Sequence, residues 1–277
     1  MAASYPSALK TFTTIVDLSD SALASHQNDR GDEITAIETE LGTLPKGGYA
    51  SVKARFEGLK TGWQNVTDTW TYASSTTVTV PTDATATYEV GYAVRLKQGG
   101  GYKYYYITGV TATVLTLNGG SDYTVANSAI TDIYISPDSS PVDFPGYFNF
   151  STTRAVSGGT VPTYTAADFN IFWMVGGMVH GHLSWNNTAG GTAGAGTNAL
   201  TFTLPVTANA LTYQVGRTVL GAAQVYESAG TIGAAYVAYN TTTTAKFQLN
   251  TSVANIVGND QSSTDRFISA TYCYKAA

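Results

Sequence analysis

Three features of this sequence predict a mainly β protein with a short helical N-terminal region. Charged residues make up only 12% of the 277, about half the usual share, while Gly reaches 28 and Tyr 19. Glycine serves turns, and Tyr with Thr suits half-buried pleated surfaces. From Thr69 onward, short alternating runs recur roughly every ten residues, each closed by a Gly, Pro or Asn cluster. Before them, Ser19 to Leu41 lacks proline and follows a heptad spacing.

The first expected region is 1–60. Ser19 or Ser21 can cap the helix. Leu23, Arg30 and Ile37 fall on one heptad position, and Gln27, Ile34 and Leu41 on the other. Only the C-terminal half of this seam is apolar. A bundle of several parallel chains would bury it, with Gln27 and Arg30 fixing register at some cost in stability. Otherwise it is an ordinary surface helix. Gly42 stops the helix, Pro45-Lys46-Gly47-Gly48 turns the chain, and a second short helix is expected over Tyr49–Lys60.

The second region, 61–150, reads as a small β-barrel or sandwich. Strands are expected over Thr69–Thr79, Tyr88–Leu96, Tyr102–Val110, Thr111–Leu117 and Ile130–Ile135. Gln98-Gly99-Gly100-Gly101 marks a hairpin, and Asn118-Gly119-Gly120 another turn. Pro137, Pro141 and Pro145 make 136–150 an extended linker. The third region, 151–277, carries about eight short strands and fits a jelly-roll-like sandwich. Along Phe169–Trp185 the odd positions form one apolar face, bent at Gly176-Gly177.

Composition removes several function classes. Aromatics at 12% exclude disorder. A formal charge of −5 offers no basic footprint for nucleic acid. No apolar run reaches the roughly 18 residues of a membrane span, and no basic start followed by an apolar run predicts export. A single cysteine, Cys273, forbids an intrachain disulfide and reads as a small buried hydrophobe.

Catalytic templates find little purchase. There is no G-x-S-x-G elbow, and most Asp residues sit beside turn formers. His180 and His182 form H-x-H on one strand face, the one candidate for a metal pair, with no carboxylate nearby to support it. His26 lies beside the helix seam. No cofactor and no resident metal are expected. Tyr102, Tyr104, Tyr105 and Tyr106 are candidate glycan-contact aromatics, because rings stack on sugar faces. Alternation splits them, so at least one side must be packed.

Three segments carry a family resemblance. The stretch AIETELGTLPKGGYASVKARFEGL (36–59) is similar to a segment of tailed-bacteriophage virion proteins, through Ile37, Glu38, Glu40, Leu41, Gly42, Thr43, Pro45, Lys46, Gly47 and Val52–Arg55. TWTYASSTTVTVPTDATATYEVGYAVRLKQGGGYKYYYITGV, with the later LTLNGGSDYTVANSAIT, resembles β modules of phage fibres. GHLSWNN and LTFTLPVTANA (181–210) resemble their C-terminal domains. Phe56 departs from the pattern, which has Leu there, and no long repetitive shaft separates helix from tip.

That likeness implies a non-enzymatic structural protein on the virion surface, a homotrimeric short fibre or spike contributing to host attachment. Its N-terminal region would dock on other tail or capsid proteins, and its β domains would face host cell-surface glycan. A capsid decoration protein or head fibre shares the architecture. A polysaccharide depolymerase and a bacterial adhesin are the remaining alternatives. The repeats expected of the depolymerase and the export signal expected of the adhesin are absent.

Overall fold

The computed structural model describes residues 24–43, 45–47, 49, 51–164, 168–187, 198–210, 215, 218–227, 230–249 and 266–277. They are mainly β, with two helices and two antiparallel sheets. The chain groups into two units, residues 1–59 and 60–277.

In the first unit, α1 spans Ala24–Leu41. Gly42 ends it in a left-handed conformation (φ 71°) and donates its N–H to the Glu38 carbonyl at 2.9 Å. Among the described seam residues, Ile34, Ile37 and Leu41 are 57%, 39% and 49% exposed, Gln27 is exposed and Arg30 half-buried. The buried positions are instead Asp29 and Glu33, one turn apart. Leu23 lies outside the described residues. Helix α2 (Val52–Thr61) starts later than expected, where the Ser51 hydroxyl accepts the Ala54 N–H at 3.1 Å. Its apolar Phe56 and Leu59 are exposed.

In the second unit, seven strands form one sheet: β1 (Gln64–Asn65), β2 (Thr71–Ser74), β3 (Thr77–Thr79), β4 (Ala93–Gln98), β5 (Gly101–Val110), β6 (Val114–Asn118) and β7 (Thr131–Ser136). Their order is β1-β7-β4-β5-β6-β3-β2. The expected single strand Thr69–Thr79 is a hairpin, broken where the Ser74 hydroxyl accepts the Thr76 N–H at 3.2 Å. The strand expected from Tyr88 begins at Ala93, because Asp83 caps a short 3-10 turn over Ala84–Ala86 and Gly91 takes φ 99°. The turn between β4 and β5 is as read, with Gly99 and Gly100 both at positive φ.

The other sheet holds β8 (Phe148–Asn149), β9 (Arg154–Val156), β10 (Phe169–Val175), β11 (Met178–Asn187), β12 (Leu200–Thr203), β13 (Val219–Glu227), β14 (Gly230–Tyr239), β15 (Thr244–Leu249) and β16 (Arg266–Lys275). The order is β8-β10-β11-β16-β13-β14-β15-β12-β9, so β16 sits between β11 and β13. In a flat sheet β11 and β12, five places apart, would be separated by roughly 24 Å. Yet the Trp185 and Phe202 rings on them lie 5.8 Å apart. The sheet therefore wraps around its own core of Phe172, Leu183, Trp185, Phe202, Phe247 and Tyr272.

One correction concerns strand parity. Val175 pairs with Met178 across a two-residue turn in which Gly176 and Gly177 take φ 54° and 78°. Such a turn joins an odd residue to an even one on the same face. Phe172 and Met174 therefore point inward, while Phe169, Ile171, Trp173 and Val175 lie on the outer face.

A second correction concerns 136–150, which is not a spacer. Phe144, Phe148 and Phe150 enter a core that also contains Ala93 and Tyr106 of the seven-stranded sheet and Phe172 of the other. The boundary expected at residue 150 thus falls inside one unit. The turn at 118–122 fastens this junction. Asn118 Nδ2 donates to the Pro205 carbonyl (2.8 Å), Ser121 N–H to the Asn149 carbonyl (2.7 Å), and Asn149 N–H to the Asp122 carboxylate (2.8 Å). Gly120 (φ 62°) makes the approach feasible, since a Cβ there would stand 1.9 Å from the Asn149 oxygen.

Replacing Gly120 by Ala should cost roughly 2–4 kcal/mol, because backbone must move on both sides. The control Gly146→Ala, with open space around its Cβ, should shift the denaturant midpoint little. Equal midpoints would contradict the close approach. Burial also pushes the Tyr106 phenol up to about 12, and raises Tyr105 and Tyr272 as well. Below pH 10 their contribution to stability is intact. Between pH 10 and about 12 the unfolded chain ionises first, and that contribution is lost. Tyrosinate absorbance should therefore show a late cooperative phase coinciding with loss of the β circular-dichroism signal. A late phase without unfolding would contradict the burial.

Candidate functional site

The four tyrosines of β5 have separate fates. Tyr105 packs into the core on one face of the seven-stranded sheet, and Tyr106 into the core shared with the other sheet; each is only 1% exposed. The Tyr106 hydroxyl donates to the Ser139 carbonyl at 3.2 Å, whereas the Tyr105 hydroxyl is buried without a partner. Tyr104 is half-buried, edge-on to Tyr123 and Phe144. Tyr102 alone is exposed, at 42%. Of the four, one ring is presented to the surface.

That ring belongs to a cluster spread over distant parts of the sequence. On β4, Arg95 and Lys97 share the face of Tyr102 and Tyr104. The Arg95 guanidinium carbon lies 4.9 Å from the Trp63 centroid, 4.9 Å from Tyr102 and 4.4 Å from Tyr134 of β7. Cation–π attraction and stacking hold the arginine there. Its Nε is buried with no hydrogen-bond partner. A bulge in the β4–β7 pairing places one extra residue in β7, where Asp132 takes φ 46°. Asp132 meets Lys97 at 3.6 Å, and Lys97 lies 6.0 Å from the Tyr102 ring.

A second arginine is framed the same way. The Arg154 guanidinium carbon lies 4.6 Å from both Tyr164 and Trp185, and its Nε is likewise buried without a partner. Arg154 also forms an ion pair with Asp168. Both clusters escaped the sequence reading. The one available signal was a cation at a strand position in a chain poor in charge.

The histidines are neighbours on β11, as alternation requires, but each is engaged by an aromatic of β10. Trp173 stacks on His180 (5.4 Å, 8°), and Phe169 meets His182 edge-on at 5.7 Å. Cys273, opposite His180 on β16, puts its Sγ 3.8 Å from the His180 Nε2. Among the described residues no three His, Cys, Asp or Glu side chains gather as a metal-holding group. Burial pushes the Cys273 thiol up, which favours the protonated, unreactive form. The His26 Nδ1 is buried without a hydrogen-bond partner.

A groove of about 840 Å³ also runs along β5 and β6, lined by Thr108, Thr116, Leu117, Tyr88, Glu89 and Val206 among others. Among the described residues lining it, Glu89 is the one side-chain carboxylate, whereas paired-acid glycoside chemistry uses two. Comparison with protein-family models, with curated proteins and with solved structures returns no match.

In the native chain, Cys273 should alkylate about tenfold or more slower than a small free thiol at pH 8, and denaturant should restore the rate. Full reactivity in the native state would mean that the His180 contact is open.

Proposed function

We propose that this chain is a non-enzymatic structural protein of a tailed-phage particle: a trimeric short fibre or spike on the virion surface that contributes to host attachment. The observation that carries the reading is the exposed apolar series Ile34, Ile37 and Leu41 at heptad spacing on α1. Three parallel copies would cover it, leaving Gln27 and Arg30 to set register. The outer face of β10, with Phe169 and Val175 exposed, offers further apolar surface to an assembly. The resemblance of 36–59 and of the two later segments to virion proteins supplies the setting. The N-terminal unit would dock on tail or capsid proteins, and the β unit would face the host.

Sedimentation of the purified chain should give three times 29.1 kDa. A monomeric mass would overturn the reading. Ile34→Asp and Ile37→Asp should each weaken assembly by about 3–5 kcal/mol per buried, uncompensated carboxylate. Unchanged assembly would make α1 a surface helix. Antibody labelling of intact particles places the protein: signal confined to the head would replace the tail fibre by a capsid decoration protein.

A further inference from the structure

The two framed arginines differ in one respect. Both lie between aromatic rings, and both bury an unpartnered Nε. Arg154 has a carboxylate, Asp168, on its outer nitrogen. Arg95 has none: among the described residues no hydrogen-bond acceptor and no acidic side chain reaches its guanidinium. Aromatic faces satisfy the plane of a guanidinium but not its five in-plane N–H groups, which need acceptors. The acid nearest in register is committed elsewhere, since the β7 bulge turns Asp132 onto Lys97.

We propose that Arg95 anchors a site for a carboxylated saccharide. The ligand's carboxylate occupies beside Arg95 the place that Asp168 occupies beside Arg154. Arginine's planar fork matches a carboxylate with two parallel hydrogen bonds, which a point charge does not. The saccharide class follows from what surrounds the fork. Tyr102 presents an exposed ring within 4.9 Å of the guanidinium, a platform for the apolar face of a sugar. Lys97 and Asp132, both at the surface, put a donor and an acceptor at the rim for sugar hydroxyls. Trp63 and Tyr134 hold the arginine in place before any ligand arrives, so little side-chain entropy is lost on binding. This deepens the attachment reading and takes its biological sense from it, although the site itself stands on the geometry of one chain.

The test titrates the full-length chain with a glucuronate-containing disaccharide, a neutral glucose disaccharide and inorganic phosphate. Calorimetry follows binding, with intrinsic tryptophan fluorescence, to which Trp63 contributes, as a second readout. The acidic disaccharide should bind about tenfold or more tightly than the neutral one, and weaken with added salt. Arg95→Lys should lose about tenfold in affinity, because it keeps the charge and removes the fork. If Arg95→Lys melts early, Tyr102→Ala supplies the same comparison at an exposed position. Equal affinity for neutral and acidic sugars, unchanged affinity in either variant, or no binding at all would overturn the proposal. Phosphate binding as tightly as the disaccharide would overturn its saccharide part. A trimer that labels on particles yet ignores acidic sugars defeats this inference alone. A monomer that binds them defeats the fibre reading and leaves the site.

Discussion

The β unit depends on one junction, where the aromatic backs of two sheets meet. Tyr106 of the seven-stranded sheet reaches Phe144 and Phe148 at ring separations of 5.0 and 5.4 Å, and Phe148 reaches Phe172 of the other sheet at 5.8 Å. The two Tyr106 contacts are edge-to-face and the Phe148–Phe172 contact is tilted, and ring pairs of this kind contribute beyond the area they bury. Because these rings come from three separate stretches of chain, neither sheet completes its interior alone. The hydrogen bonds of Asn118, Ser121 and Asn149 then set the angle at which the sheets meet.

Close packing inside the nine-stranded sheet sets the choice of small residues there. Gly181 lies under the Tyr272 ring, where a Cβ would stand 2.2 Å from the phenol carbon. Gly221 lies against the Thr271 carbonyl, at 1.9 Å for the same hypothetical atom. These glycines let aromatic side chains and neighbouring strands approach without a side chain between them. The high glycine content is therefore not only turn chemistry. Part of it makes room in a core built from large rings.

Much of the fold was legible because it is local. The Gly99-Gly100 hairpin, the stop at Gly42 and most strands follow from turn residues and alternation within a few positions. Features set by register were not legible. A two-residue turn at Gly176-Gly177 reverses which side chains of β10 face inward, and alternation by itself does not reveal the turn's length. The prolines of 136–150 suggested a spacer, while Phe144, Phe148 and Phe150 in the same stretch were the better guide. The candidate site shows the same divide. Tyr102 was visible as an aromatic on a strand. Its partnership with Arg95, Trp63 and Tyr134 required the pairing of β4 with β5 and β7. Likewise Cys273 had no histidine near it in sequence, and strand pairing brought it to one.

The place of β16 bears on how the chain reaches this state. It is the last described strand, yet it sits in the interior of the nine-stranded sheet, between β11 and β13. His180 and its cross-strand partner Cys273 are 93 residues apart in sequence. During synthesis, β11 therefore leaves the ribosome with one row of backbone N–H and C=O groups unmatched, and waits for that whole interval to be translated. An open row of this kind is a template for pairing with another chain, so the arrival of β16 is the step that closes it.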